Sequence, residues 1–343
     1  MPDFTHLHVH TQYSILDGAC HISSLMDKVN EHGMKSIAIT DHGNMYGVLE
    51  FLKKAKEKGI KPIFGCEMYV ADGSRFEKKG REDRSGFHLI LLAKNYEGYK
   101  NLSKLSTYSF KKDAFYYTPR IDKELLREYS NGLIASTACL GGEVPYNLLN
   151  HGEERAEAAL KEYHEIFGDD LYIELMDHGM AEQKEANKGL LKLAAKFNIK
   201  VIATNDVHFV NASDATAHDI LVCLNTGKDY NDTDRMKYTG NEYLKSPEQM
   251  AELFSYCPES IANTQEIVNK VESFDLYHAV ILPTFPLPEG FTNEDDYLRQ
   301  LTYTGAKMCY PEMNEVVRER LEYELDVVRN KGYAGYFLIV ADY

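Results

Sequence analysis

Seven short apolar runs of β type, separated by stretches of helical periodicity, leave this chain few folds to choose from. The runs are 5–11 (THLHVHT), 36–40 (SIAIT), 62–70 (PIFGCEMYV), 87–93 (FHLILLA), 132–137 (GLIAST), 171–176 (LYIELM) and 201–205 (VIATN). Helix-like segments lie between them at 22–32, 45–58, 96–108, 153–167 and 180–197. In the last of these, Leu190, Leu191, Leu193, Ala194 and Phe197 recur at helical rather than strand spacing. Such alternation predicts an α/β fold built from βαβ units around a parallel sheet. Polar residues follow so many of the strands that a closed or nearly closed barrel fits better than an open doubly wound sheet.

The pattern then breaks. PTFPLP at 283–288 holds three of the chain's 10 prolines and predicts an extended linker. Helices are expected at about 294–308 and 312–331, and the chain stops on FLIVADY, read as a strand-like run. A domain rarely ends on an uncovered apolar element, so the chain reads as the N-terminal piece of a longer protein.

Charge narrows the function. With 38 Lys plus Arg against 53 Asp plus Glu, the net charge is −15. That balance excludes a protein that coats DNA or a membrane surface through diffuse cationic contacts. It leaves room for nucleic-acid chemistry in which bound metal ions supply the positive charge. The 6 Cys include no CxxC pair, which predicts reduced thiols rather than a disulfide scaffold. The start MPDFTHLHVH lacks the regions of a signal peptide, and no apolar run is long enough to span a bilayer. A soluble, intracellular protein is expected.

The chemistry-bearing residues begin with HLHVH at 6–10. On a strand, alternate residues share a face, so His6, His8 and His10 are expected to point together, a poor core and a good metal site. Asp17 follows in the turn SILDG, and Asp41 and His42 open the loop TDHGN directly after a strand. Glu67 sits inside an otherwise apolar strand, where a carboxylate must be paired, protonated or metal-bound. His88 opens FHLILLA, and Cys139 follows the fifth strand; alone, either reads equally well as a structural residue. Asp206 and His208 in NDVH repeat the alternating logic of the first motif. His8, His10, Asp17, His42, Glu67, His88, Cys139, Asp206 and His208 are too many ligands for one tetrahedral ion and suit two or three. Their mixed N, O and S donors favour zinc, with manganese the alternative.

In this order the motifs resemble the polymerase-and-histidinol-phosphatase (PHP) superfamily. Within it, HLHVHTQYSILDGA, TDHGNMYGVLEFLKKAKEKGIKPIFGCE, ATNDVHFV and RLEYELDVVRNKGYAGYFLIVADY are similar to the N-terminal part of the DnaE-type α subunits of bacterial replicative DNA polymerase III. The resemblance implies a distorted (β/α)7 barrel over 1–277, a Pro-rich linker over 278–295 and the truncated start of a polymerase palm over 296–343. It implies one metal on His8, His10, Glu67 and Asp206, a second on Glu67, His88 and Cys139, and a third on Asp17, His42 and His208.

Glu67, Asp206, His10, Asp41 and His178 would then serve hydrolysis of phosphodiesters, as a 3′→5′ proofreading exonuclease at a primer–template end. The palm's own catalytic residues would lie beyond Tyr343. Arg75, Arg81 and Arg120 could hold phosphates, and YYTPR at 116–120 could stack an unpaired base, although ordinary loop roles explain them as well. Two other readings stay open: a phosphatase for small phosphomonoesters, and a metal-stabilised scaffold that docks a separate proofreading exonuclease. Implied partners are DNA, the rest of the polymerase chain and other replicase subunits in the bacterial cytoplasm, with no membrane.

Overall fold

The computed structural model describes residues 3–80, 86–278, 281–310 and 312–343, so Arg81 lies outside the described residues. The chain divides into two compact units, Met1–Phe274 and Asp275–Tyr343.

The first unit alternates as the sequence pattern demands: α1 (Ile22–Glu31), β1 (Ser36–Ile39), α2 (Val48–Lys58), β2 (Lys61–Val70), β3 (Phe87–Ala93), α3 (Tyr96–Ser109) and β4 (Arg120–Ile121). It continues with α4 (Lys123–Tyr129), β5 (Leu133–Ser136), α5 (Glu143–Asn150), α6 (Glu153–Phe167), β6 (Leu171–Met176), α7 (Ala181–Phe197) and β7 (Val201–Thr204). Three further helices follow, α8 (Ala215–Thr226), α9 (Pro247–Leu253) and α10 (Pro258–Lys270). Element ends carry their usual chemistry. Gly59 adopts the left-handed conformation that closes α2, Asn95 and Asp122 cap α3 and α4, and Ser246 and Gln249 form a capping box on α9.

Hydrogen-bonded neighbours run β1-β2-β3-β5-β6-β7, with β4 beside β2. β1, β5, β6 and β7 are buried at every residue, which explains why they read as unbroken apolar runs. One buried cluster draws on Leu7, Ala38, Ile63, Ile90, Ile134, Tyr172 and Ile202, and Ile267, Val268 and Val271 of the α10 region pack into it. Lys61 fastens that helix end by donating to the carbonyls of Val268 and Val271 at 2.7 and 2.6 Å.

Two expectations need correction. The sheet is not all parallel: β3 runs antiparallel to both β2 and β5, while β1–β2, β5–β6 and β6–β7 are parallel. A parallel return needs a crossover, normally a helix, and the described residues between β2 and β3 contain none, so the chain doubles back. The strand expected at 5–11 forms no regular ladder. It is an extended segment that Ala38 and Thr40 bond on one side (to the carbonyls of His6 and Val9, 2.9 Å each). On the other side it exchanges bonds with Val207 (His10 N to Val207 O, 2.8 Å; Val207 N to His8 O, 3.1 Å). By joining the β1 edge to the β7 edge it curls the sheet into the barrel-like form.

The second unit contains α11 (Glu294–Cys309), α12 (Glu315–Lys331) and α13 (Ala334–Asp342), with Asn293 and Asn314 capping the first two. FLIVADY is therefore helical rather than strand-like. A seven-residue apolar run has no periodicity that separates the two, and here packing decides. A Cβ on Gly335 would fall 2.5 Å from Glu294 Oε2, so a larger residue there would displace the Glu294 carboxylate at the start of α11.

Candidate metal centre

Strand direction explains where each chemical group comes from. β1, β5 and β7 end near one rim of the sheet and hand over His42, Cys139, Asp206 and His208 just beyond their last residues, while Glu67 points inward from β2. Because β3 runs the other way, its second residue, His88, lies at the same rim, paired with Tyr69. The antiparallel strand that the sequence pattern did not reveal is what recruits His88. Asp206 takes a left-handed backbone (φ 44), as does Ala138 (φ 58) beside Cys139, a strain that tends to persist where geometry is demanded by function.

The nine residues singled out from the sequence come together. His8 Nε2 lies 3.2 Å from Asp206 Oδ1, 3.4 Å from Glu67 Oε1 and 3.0 Å from His10 Nε2. His10 Nε2 is 3.1 Å from Asp206 Oδ1 and 3.7 Å from Glu67 Oε2. His88 Nδ1 is 2.9 Å from Glu67 Oε1 and 3.7 Å from Cys139 Sγ. His42 touches Glu67 through Nδ1 and lies 3.3 Å from Asp17 Oδ1 through Nε2, with His208 Nε2 4.0 Å from the same oxygen. Three overlapping triads have ligand atoms within 4.8 Å of one another: His8, His10 and Asp206; His42, Glu67 and His88; His10, His42 and His208.

Outer groups fix the rings. His8 Nδ1 meets Glu174 Oε1 at 2.7 Å, His10 Nδ1 meets Ser14 Oγ at 3.0 Å, and His208 Nδ1 meets the Asp206 carbonyl at 2.8 Å. In His8 and His10 the second nitrogen, Nε2, is left for the cluster, an arrangement typical of imidazole metal ligands.

Burial opposes charge at His8, His10, His42, Asp17, Glu67, Asp206 and Cys139, and their neighbours oppose or reinforce it. Against burial, Asp206 and Glu174 hold His8 well above the usual imidazole range, and Glu67 and Asp17 do the same for His42. His10, buried beside His42 and His208, is pushed down to about 3. Despite their own burial, Glu67, Asp206 and Asp17 are held well below the usual carboxylate range by the surrounding imidazoles. Burial, reinforced by Glu67, pushes the Cys139 thiol up.

Even so, Asp17 Oδ1, Glu67 Oε2, Asp206 Oδ1 and His42 Nδ1 are buried and meet only one another and the neighbouring imidazoles as ion pairs, without a well-aligned hydrogen bond. Each such group costs roughly 1–3 kcal/mol or more if left unmet. They converge on one another, and their N, O and S chemistry fits divalent ions of the zinc type. The cluster opens into a cavity of about 420 Å³.

Other expected residues fall elsewhere. His6 does not join His8 and His10: its Nε2 meets the Lys245 carbonyl at 2.9 Å, and burial lowers it to about 4. At roughly 3.3 Å per residue it lies roughly 13 Å down the segment from His10. Asp41 accepts from Thr11 N, Thr11 Oγ1 and Ser14 Oγ at 2.6–2.8 Å, so its carboxylate is a brace behind the cluster, joined to it through the Ser14 that holds His10. His178 lines the cavity, with Nε2 3.0 Å from the Asn205 carbonyl and Nδ1 3.1 Å from Gln183 Nε2. Burial lowers its pKa, favouring the neutral ring.

Arg120 is fully buried and donates to the carbonyls of Arg75 and Glu77, while Arg75 pairs with Asp122 at 2.7 Å. Neither lines the cavity. In YYTPR, Tyr116 stacks under Arg120 at 5.2 Å, a local packing role.

Residues the motifs did not flag complete the centre. Glu174 also accepts from Ser136 Oγ at 2.6 Å and Thr204 Oγ1 at 2.5 Å, so it is fully engaged as a brace for His8. Tyr238 donates to Asp17 Oδ2 at 2.9 Å and lies 3.1 Å from His208 Nε2, and His218 Nε2 meets the Asp17 carbonyl at 2.7 Å. Glu174 shows the same signal as Glu67, a carboxylate within an apolar strand. Tyr238 and His218 come from a segment with no strand pattern to mark them.

Comparison with known proteins places this geometry among relatives. The PHP domain family model matches residues 6–178, and the model for the bacterial DNA polymerase III alpha NTPase domain matches 296–343. Over 343 residues the chain is 44% identical to the DNA polymerase III subunit alpha of Borreliella burgdorferi, covering 99% of this chain and 30% of that protein. The corresponding figures for Treponema pallidum are 41%, 99% and 29%. The chain thus spans about 30% of the length of these curated relatives. A solved chain described as a metal-dependent phosphoesterase, from Bifidobacterium adolescentis, superposes with a TM-score of 0.42 at 16% identity over 60% of this chain and 87% of its own. An amidohydrolase from Chromobacterium violaceum gives 0.40 at 15% identity, over 60% and 87%.

Proposed function

The chain belongs to the PHP domain family, and on that premise we propose that it is part of a bacterial DNA polymerase III α subunit whose barrel hydrolyses phosphodiester bonds at DNA 3′ ends. The observation that carries the hydrolytic reading is the convergence of buried carboxylate oxygens and imidazoles, with Asp17 and Asp206 lining an open cavity and Glu67 behind them. Structural metal sites are closed by protein ligands, whereas catalytic ones keep a face open.

His8, His10, Glu67 and Asp206 would hold one ion, Glu67, His88 and Cys139 a second, and Asp17, His42 and His208 a third, with zinc or manganese as the ion. Bound there, such ions supply Lewis acidity toward a phosphate and an acidified water. The chain itself does the rest. Glu67 contributes a carboxylate central to the cluster, and Asp206 ties His8 to His10. Glu174 and the Ser14–Asp41 pair hold the imidazoles in register, and His178 shapes the cavity wall as a neutral ring.

The domain assignment proposed is a metal-binding barrel over 1–277, a linker over 278–295 and the start of the palm over 296–343. The match at 296–343 supports it, as does the absence of regular secondary structure over 281–288. DNA, the rest of the polymerase chain, a separate proofreading exonuclease and other replicase subunits are the partners, in the bacterial cytoplasm. Among the described residues no helix is long and apolar enough to cross a membrane.

Purified chain with zinc or manganese should release label from 3′-labelled single-stranded DNA, and His10→Ala should not. Equal background in both overturns hydrolysis and leaves the scaffold reading. Turnover of p-nitrophenyl phosphate with labelled DNA untouched replaces the nuclease by a phosphatase. A separate expectation concerns the brace behind His8. Glu174→Gln should weaken zinc binding about 10–100-fold in a calorimetric titration, as loss of an outer carboxylate does elsewhere, with unchanged circular dichroism. Unchanged zinc affinity would mean that Glu174 serves packing alone.

A further inference from the structure

The cavity above the cluster has two unlike walls. One is the ligand cluster. The other carries Leu140, Met176, Met180 and Met236, with a single lysine, Lys237, as the only Lys or Arg among the described residues that line it. The polar groups beside them are engaged within the protein: Gln183 with His178, and Glu242 with Thr239 and Gly240. Lys237 is exposed and forms no ion pair among the described residues; Asp219, which feels its charge, is already held by Arg235 at 2.5 and 2.7 Å.

Lys237 is also held in place. It lies between two anchored residues, Arg235 on Asp219 and Tyr238 on Asp17, and the next turn is pinned where Thr239 N and Gly240 N donate to Glu242 at 2.9 Å each. Fixing the backbone on both sides of a lysine lowers the ordering cost of using its ammonium.

The chemistry of the two walls differs in a useful way. An ammonium at the mouth is a point charge suited to a phosphate oxygen. Methionine thioethers are polarizable and adaptable, favour contact with aromatic rings, and present no donor–acceptor pattern by which one base could be told from another. The volume falls within the range of small-molecule sites, roughly 300–1,000 Å³.

We propose that this cavity is a subsite for one terminal nucleotide, with its 5′-phosphate between the cluster and Lys237, its ring against the methionine wall, and no selection among bases. The proposal rests on the hydrolytic reading and names the product it releases, a nucleoside 5′-monophosphate. Lys237 is then a substrate-binding residue, and Met236 a contact for the nucleoside portion.

The test is equilibrium binding to the zinc-loaded full chain, with thymidine 5′-monophosphate, deoxyguanosine 5′-monophosphate and inorganic phosphate as probes. The two nucleotides should bind within about threefold of each other and at least about tenfold more tightly than phosphate, a difference of about 1.4 kcal/mol. Lys237→Ala should weaken all three probes about tenfold, and Lys237→Arg should restore them to within about threefold. Met236→Ser should weaken the nucleotides alone, with zinc content unchanged. Phosphate binding as tight as nucleotide binding, a marked preference for one base, or indifference to Lys237→Ala overturns the subsite. Nucleotide binding of the expected pattern with labelled DNA left intact supports the subsite and overturns hydrolysis. DNA cleavage with nucleotide affinity untouched by both variants keeps hydrolysis and overturns the subsite.

Discussion

Asp206→Asn is expected to lower release of label from 3′-labelled single-stranded DNA by at least about 10³-fold, since losing about 4 kcal/mol of Lewis-acid stabilisation amounts to that factor. Its carboxylate oxygen lies between His8 Nε2 and His10 Nε2 at 3.2 and 3.1 Å and has no well-aligned hydrogen bond. Asparagine keeps the volume and also tolerates the left-handed backbone found here at φ 44. What it removes is the charge that a divalent ion needs. Elemental analysis should therefore show fewer ions per chain, and the melting temperature in chelator near pH 7 should also fall, because the same charge pairs with His8. A variant that keeps its full metal content and loses less than tenfold in rate would remove Asp206 from the ligand set.

Much of this centre was legible because strands impose a two-residue period. His8 and His10 alternate correctly, and Glu67 is conspicuous as a carboxylate among Ile63, Phe64, Cys66 and Met68. The same rule applied to LYIELM exposes Glu174. Strand direction was not legible. Nothing within FHLILLA says whether it runs with or against its neighbours, and the direction decides that His88, at its start, reaches the rim. Tyr238 reaches Asp17 across 221 residues of sequence, and a contact of that span leaves no local periodicity to read. Arg120 shows the converse: a basic residue beside two tyrosines suggested a nucleic-acid surface, but its guanidinium is buried on backbone carbonyls. FLIVADY shows the limit of short apolar runs, since helix and strand both satisfy its composition.

Chelation should lower the melting temperature of the barrel on the order of 10 °C at pH 8, and the gap between loaded and chelated protein should shrink as pH falls toward 5.5. A single ion present at about 1,000 times its Kd stabilises by about 4 kcal/mol, and in a domain of this size each kcal/mol moves the midpoint by about 2–4 °C. The pH sense follows from what replaces the ions. In their absence His8 and His42 are held protonated, well above the ordinary imidazole value. Groups raised in this way stabilise the chelated fold fully below about pH 6.5, the unfolded value, and lose that contribution as pH rises through their folded values. Asp17, Glu67 and Asp206 behave oppositely. Their depressed values add stability above about pH 4, and it is lost only as pH falls through the folded values. From pH 5.5 to 8 the carboxylates therefore stay constant, and His8 and His42 make the chelated protein less stable as pH rises. His10, pushed down to about 3, is neutral with or without the ions and drops out of the gap. Metal uptake needs His8 and His42 neutral and must expel their protons, so its affinity rises over the same interval. The two effects act in one direction, and the gap widens with pH. Differential scanning calorimetry with and without EDTA at pH 5.5, 6.5 and 8 measures it directly. Identical midpoints at pH 8, or a gap that narrows as pH rises, would mean that the converging carboxylates of this barrel are met by the imidazoles rather than by a metal ion.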